Sequence, residues 1–452
     1  MTFWENSMRA YEAYKQIDLP WLDRIPAHWR VQRAKTMFRK MRRPAEDSDE
    51  VITCFRDGEV TRRSNRRATG FTESLKEIGY QGIRKGDLVI HVMDAFAGAV
   101  GVSDSDGKGT PVYSVCTPKG DNNNYYYAHV IRIMAKNGYI QSLYRGIRER
   151  SSDFRFEVFA NLYLPLPPRE EQDAIVRFLD AKCAKIDRLI RLKERQIALL
   201  NEKKQIIINQ AVTRGLDPNV PMKDSGVDWI GEIPEGWEVS KLKYIGVIQT
   251  GVTLGKDYPK EATSKYPYLC VANVQDGYID LKKIKFINLP PKEAQRYFLQ
   301  KGDILMTEGG DPDKLGRGSV WNNEIAHCLH QNHIFAVRMD QNKVLISFFR
   351  FVLQAQYCKE YFLLSAKQTT NLASTNKTTL SNLYVAMPSL GAQEKIVEQL
   401  DKVAALYKTK IKIIEKEILT LREYKTKIIS DCVTGKLNCI AGNDTNLGEN
   451  HV

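Results

Sequence analysis

The chain is written twice. Trp21, Ile25, Pro26, Trp29 and Val31 recur as Trp229, Ile233, Pro234, Trp237 and Val239, each 208 positions later. Four of the six tryptophans fall in those two pairs. Lys85–Asp87 returns as Lys301–Asp303, offset by 216. Further on, Gln172, Ile175, Val176, Leu179 and Asp180 recur as Gln393, Ile396, Val397, Leu400 and Asp401, now 221 positions later. The same 221 joins Val212, Thr213 and Leu216 to Val433, Thr434 and Leu437. The offset therefore grows inside the large unit and stays constant in the segment after it. That pattern describes two copies of one plan, each a variable unit on a rigid frame followed by a fixed spacer. A half of this length exceeds the usual domain size of about 100–150 residues, so each half holds more than one structural part.

The remaining composition narrows the class. With 43% hydrophobic and 27% charged residues the chain reads as soluble and globular. No apolar run approaches the roughly 20 residues that span a bilayer. Glu5 and Glu12 interrupt any signal-peptide pattern, so a cytoplasmic location and no membrane contact are expected. The eight cysteines include no C-x-x-C pair and read as free thiols. A net charge of +13 calls for a polyanionic partner. Without a basic amphipathic anchor, nucleic acid is favoured over anionic membrane.

The coarse elements are mixed α/β. Residues 1–20 read as a short N-terminal helix ending near Pro20, and residues 438–452 as a flexible C-terminal tail. The first large unit, 21–168, carries β-type runs at Val51–Phe55, Asp87–Val92, Thr110–Cys116 and Tyr126–Met134. The second, 217–388, carries them at Tyr268–Val271, Asp303–Thr307, Ser319–Trp321 and His333–Arg338, with a helix at Phe348–Ala366. The spacers, 169–216 and 389–437, read as long helices. Pro168 and Glu170–Glu171 supply helix-start chemistry, and Gly215 and Gly435 supply the stops. A heptad seam runs through Val176, Leu179, Ile186, Ile190, Ile197, Leu200 and Ile207. Its counterpart runs through Val397, Leu400, Tyr407, Ile411, Ile414, Ile418, Leu421 and Ile428. Neither helix buries its stripe alone, so the two are expected to pair as an antiparallel coiled coil. Lys204 and Lys425 occupy matched seam positions, where their stems cover apolar surface or fix register.

No catalytic or metal constellation stands out. His327, His330, His333 and Cys328, with Glu324, are spaced for opposite faces of a strand and read as ordinary residues. Asp94–Gly101 lacks the G-x-G-x-x-G pattern and reads as a tight turn. The polar and basic clusters are more telling. Arg62, Arg63, Asn65, Arg66 and Arg67 form one; Lys119 with Asn122, Asn123 and Asn124 forms a second. In the other half stand Glu308, Lys314 and Arg317, then Gln331 and Asn332, then Lys367, Gln368, Asn371, Asn376 and Lys377. Arg can fork onto guanine, Asn and Gln onto adenine, and Glu can accept from cytosine, while Lys holds phosphates. These are the candidate DNA-binding residues.

The doubled Trp-x3-Ile-Pro-x2-Trp, the Gly-Asp-Leu and Gly-Asp-Ile strands, and the Pro-x4-Gln turns at Pro167–Gln172 and Pro388–Gln393 precede long helices in both halves. In that order they resemble the specificity subunit of a Type I restriction–modification system. The resemblance covers nearly the whole chain. It implies two target-recognition domains with β-sheet cores, related by pseudo-two-fold symmetry and separated by the antiparallel helices. Each domain would read half of an asymmetric bipartite site on double-stranded DNA, with the helices fixing the spacer. It also implies docking of two methyltransferase subunits and two restriction/translocase subunits. S-adenosylmethionine, Mg and ATP would belong to those partners, with no cofactor and no catalytic step in this chain. The rival readings are a stand-alone DNA endonuclease or modification enzyme, and a coiled-coil protein adaptor.

Overall fold

A computed structural model describes residues 10–66, 78–143, 153–255, 258–259, 262–275, 277–310, 316, 318–368 and 373–440. The chain divides into two compact units. One comprises residues up to Leu192 together with those from Lys416 onward; the other is Lys193–Glu415. The dividing points fall inside the two long helices, Arg169–Arg214 and Leu390–Val433, so each helix contributes a segment to each unit.

Each unit is built on the same antiparallel four-stranded sheet. In the first unit the order is Phe38–Lys40, Tyr113–Pro118, Leu88–His91, Val100–Val102. In the second it is Gly246–Thr250, Ile334–Met339, Ile304–Thr307, Gly318–Val320. The offsets read from the sequence fall on these strands: 208 for the first strand of each set, 216 for the Leu88 and Ile304 strands, 221 for the Tyr113 and Ile334 strands. The extra residues of the second copy lie in the connections between frame strands. There the two units differ in content. The first inserts a hairpin, Ile52–Cys54 with Val60–Arg62. The second inserts a longer one, Ser264–Leu269 with Lys285–Leu289.

Shared motifs hold the frame together. Asp87 and Asp303 are buried, and each follows a glycine at positive φ, Gly86 (+90°) and Gly302 (+93°). Each carboxylate accepts a turn amide, from Arg84 at 2.7 Å and Gln300 at 2.8 Å. Each also takes an arginine fork, from Arg43 and Arg338. The glutamine of each Pro-x4-Gln turn is likewise buried. Gln172 accepts from the Asn123 amide at 2.8 Å and donates to the Pro167 carbonyl at 2.9 Å. Gln393 accepts from the Leu345 amide at 2.8 Å and donates to the Pro388 and Lys343 carbonyls at 2.9 Å. One side chain thus ties the start of a long helix to the start of the helix beside it.

The long helices pair in opposite directions within each unit. In the first, Ile175, Val176 and Leu179 share a core with Ile428, Cys432 and Val433. Both carboxylate oxygens of Asp187 accept from Lys425 Nζ at 2.7 Å. Lys425 is therefore an interhelical ion-pair residue at its seam position. In the second unit Ile208, Ala211 and Val212, near the end of one helix, pack with Ile396 and Leu400, near the start of the other. Every seam residue expected from the heptads is buried or half-buried.

The helix ends close onto the tryptophan motifs. Gly215 (φ +76°) lies against Pro234 and Trp237, where an added Cβ would come within 3.3 Å of the Trp237 ring. Gly435 (φ +73°) lies against Pro26 and Trp29, where a Cβ would meet the Pro26 ring at 2.3 Å. The second helix therefore ends on the motif of the first copy, and the first helix on that of the second.

Three expectations are corrected. Tyr14–Leu19 is a strand paired with Leu22–Pro26, in place of the helix expected over 1–20, of which residues 1–9 lie outside the described residues. Tyr126–Met134 lies in a helix, Asn124–Lys136. Asn123 caps it by accepting the Tyr125 and Tyr126 amides, and Tyr126, Tyr127, Val130, Ile131 and Met134 line its buried face at helical spacing. The helix expected over Phe348–Ala366 is two, Ile346–Gln354 and Gln356–Ser365, broken where Ala355 turns extended (ψ 148°).

Candidate nucleic-acid interface

In the first unit the arginine cluster gathers on the inserted hairpin. Arg62 pairs with Glu50 at 2.9 Å. Arg66 pairs with Asp57 at 2.8 Å and Glu59 at 3.1 Å, its guanidinium 4.2 Å above the Phe55 ring centre. Arg63 opens a 3-10 turn, and Asn65 donates to Thr61 Oγ1 at 2.8 Å. Arg56, on the hairpin, pairs with Asp94 at 3.0 Å. Arg67 lies outside the described residues. Exposed pairs of this kind contribute about 0–1 kcal/mol. A phosphate replaces such a carboxylate at small cost, so the hairpin holds arginines in place without locking them away.

The Lys119–Asn124 cluster is largely taken up by the fold. Lys119 donates to the Lys35 carbonyl at 2.8 Å, and Asn122 to the Lys119 carbonyl at 3.0 Å. Asn123 caps the middle helix and donates to Asp173 at 2.6 Å. Asn124 is buried and donates to the Gly86 carbonyl at 2.7 Å.

In the second unit a small ribbon follows the Ile304–Thr307 strand. Gly309–Gly310 pairs with Ala373–Ser374, which pairs with Lys367–Gln368. This brings Glu308, Lys367 and Gln368 into one place in the chain path. Glu308 meets His333 Nδ1 at 2.5 Å, next to Asn332. Gln331 is turned to the backbone and accepts the Val271 amide at 3.3 Å. Asn376 caps the short helix that Lys377 begins, accepting from the Thr379 amide at 2.9 Å. Lys314, Arg317 and Asn371 lie outside the described residues. One member of each set lies beyond the carboxyl end of the same frame strand, Arg56 through its pair with Asp94 in the first unit and Glu308 in the second, whereas Asn124 is tied to Gly86 before the other end.

The three histidines separate. His327 stacks edge-on to Phe298 at 5.0 Å, His333 pairs with Glu308, and His330 is fully buried. Burial pushes the His330 imidazole down to about 4. Its unfolded value is higher, near 6.5, so the folded state resists a proton that the unfolded chain accepts. Stability that is complete above pH 6.5 falls as pH drops towards 4. We expect the urea midpoint of the full chain to decline across that window, and His330→Gln to flatten the decline; an unaltered slope would remove His330 from the account.

Two clefts escaped the reading of the sequence. One of about 670 Å³ in the first unit is lined by Lys40, Arg42, Arg43, Tyr80, Gln81 and Arg155. Arg42 is exposed and has no ion pair among the described residues. The run Arg39–Arg43, four cations in five residues, was the available signal. The other, about 1040 Å³ in the second unit, is lined among others by Tyr278, Lys301, Asn322, Arg350, Gln354 and Lys359. These residues are dispersed in sequence and left no local signal.

Comparison with known proteins agrees with this architecture. The family model described as Type I restriction modification DNA specificity domain matches residues 234–418. The chain is 29% identical over 289 residues to the type I restriction enzyme MjaVIII specificity subunit of Methanocaldococcus jannaschii, covering 62% of this chain and 63% of that one. It is 28% identical over 207 residues to the putative MjaX specificity subunit of the same organism, covering 45% and 47%. The chain thus spans about half to two-thirds of the length of these relatives. Among solved structures, one from work on complex assembly and conformational transition of the type I R-M system superposes with a TM-score of 0.66 at 16% identity, covering 91% of this chain and 99% of that one. The HsdS subunit from Thermoanaerobacter tengcongensis gives 0.51 at 16%, covering 91% and 98%. These two establish likeness of fold.

Proposed function

We propose that this chain, which is similar to type I restriction–modification specificity subunits, acts as one, and that each of its two units reads one half of a bipartite target on double-stranded DNA. One observation carries this reading. The same four-stranded frame occurs twice, and the two copies differ both in the hairpin inserted into it and in where the candidate contacts sit, on that hairpin in the first unit and around the Gly309–Gly310 ribbon in the second. A shared frame with unlike inserts suits two readers of unlike sequence, and hence an asymmetric site. The net charge of +13 suits the phosphate contacts that position such readers.

On this reading the paired helices set the distance between half-sites. They also offer a surface for methyltransferase subunits. In the second unit Leu199, Ile206, Leu406 and Ile413 stand at one heptad position outside the seam, each about half exposed. Apolar residues repeated there suit a partner's surface. Adenine methylation and ATP-driven cleavage, with S-adenosylmethionine, Mg and ATP, would then reside in the partner subunits, in the cytoplasm. Among the described residues no helix is long and apolar enough to cross a membrane.

Exchanging residues 21–168 for the matching unit of a relative tests the reading. Methylome sequencing of cells carrying the exchanged chain with its partner subunits should show one half-site changed and the other kept. Change in both halves would end the idea of independent readers, and methylation or cleavage by the purified chain alone would replace it with an enzyme. DNA affinity should fall with salt at a log–log slope of about −0.9 per phosphate held.

A further inference from the structure

Within the first unit a cavity of about 360 Å³ lies between the middle helix Asn124–Lys136, the turn Ala95–Gly98 and the last turns of the second long helix. Five basic side chains line it: Arg56, His129, Arg132, Lys136 and Lys425. No acidic side chain does so among the described residues. Phe96 and Ile429 contribute apolar wall.

The charges are unevenly answered. Lys425 is held by Asp187 at 2.7 Å and Arg56 by Asp94 at 3.0 Å. Lys136 donates to Thr426 Oγ1, a neutral partner. Arg132 has no hydrogen bond and no ion pair among the described residues. The charge of Asp57 acts on it, but Asp57 is paired with Arg66 at 2.8 Å. Space is kept for this guanidinium. Its carbon would lie 2.5 Å from a Cβ at Gly58, which is at φ +90°. Desolvation lowers the Arg132 pKa from its ordinary value. His129 is pushed down to about 4, first by burial and then by the charges of Arg132 and Lys425, so at neutral pH it is an uncharged imidazole with one N–H to donate. A partly desolvated cation without a counter-ion is costly to keep, which makes an anion its natural complement.

The feature is confined to one copy. On the helix that the buried glutamine fastens in each unit, counted from Asn124 and Ile346, Arg132 is matched by Gln354 and Lys136 by Cys358, neither of them a cation. The repeated frame therefore does not require these cations.

We propose that this cavity binds a phosphate-bearing anion of one or two phosphate groups, whose oxygens complete an ion pair with Arg132 and accept from Lys136 and His129. Such a group comes either from a free diphosphate-type ligand or from a DNA backbone phosphate.

Pyrophosphate titrated into the full chain at constant ionic strength, followed by calorimetry and thermal unfolding, tests the site. The melting temperature should climb with pyrophosphate concentration, as linkage requires of a ligand of the folded state. Arg132→Gln, which installs the residue of the second copy, should weaken binding by about ten-fold or more, the loss of one charge-assisted pair. Lys136→Gln is the second variant should Arg132→Gln not fold. No heat and no stabilisation, or equal stabilisation of the parent and a folded variant, overturns the proposal. A DNA duplex then assigns the source. Competition between duplex and pyrophosphate, with weaker DNA binding by the variant, assigns the phosphate to DNA; independent binding of the two assigns it to a free anion.

Discussion

Removing one heptad, residues 193–199, from the first long helix alone should abolish recognition, while removing 193–199 and 409–415 together should restore it at a shorter spacing. Both stretches belong to the second unit, where the end of one helix packs on the start of the other. A single deletion keeps the heptad pattern of its own helix but slides it past an unshortened partner. The Asp187–Lys425 pair and the Ile208–Leu400 packing cannot then both be kept in register. The double deletion shortens both by seven residues, about 10.5 Å at ~1.5 Å per residue. If the helices set the distance between half-sites, the methylated target should lose about three base pairs of spacer, given ~3.4 Å per base pair. Methylome sequencing with partner subunits present reads the result. An active double deletion with an unchanged spacer would end the ruler interpretation.

Trp29→Ala should be the most damaging single substitution in the frame, and more damaging than Trp237→Ala. Trp29 is fully buried and donates from Nε1 to Glu171 Oε2 at 2.9 Å. That buried carboxylate also takes the Tyr11 hydroxyl at 3.0 Å and meets His28 Nε2 at 2.5 Å. Losing a buried tryptophan costs about 3–5 kcal/mol. A carboxylate left short of a donor adds to that. Trp237 packs on Gly215 in the same way, but the residue matching Glu171 is Ala392, so only the cavity term applies. Urea denaturation of the two variants should rank them in that order. An equal or reversed order would show that the Glu171 cluster contributes nothing beyond packing.

Much of the frame was legible because duplication turns one sequence into its own comparison. The offsets 208, 216 and 221 land on matching strands, and the heptad residues are buried or half-buried as their spacing requires. The misreadings have physical causes. Tyr126–Met134 is rich in residues that favour strands, yet the Asn123 cap and an apolar face at helical spacing decide for helix. The Asn122–Asn124 run illustrates why site residues are harder. The amide that suits adenine also suits a helix cap or a buried carbonyl, and here the fold uses it. Arg42 and Arg43 stood beside each other in sequence, but the cleft they share with Tyr80 and Arg155 exists only once distant segments meet.

The closing of each long helix onto the tryptophan motif of the opposite copy leaves neither half complete by itself. Cut after Leu216, the first piece would lack the Ile428–Val433 turns that cover Leu179 and the Gly435 stop that seats on Trp29. Two identical pieces would each carry the helix that the other lacks, and would complete one another by exchange. The present polypeptide is built as two such pieces would be if joined end to end, each half closing the helix end of the other while their inserts differ.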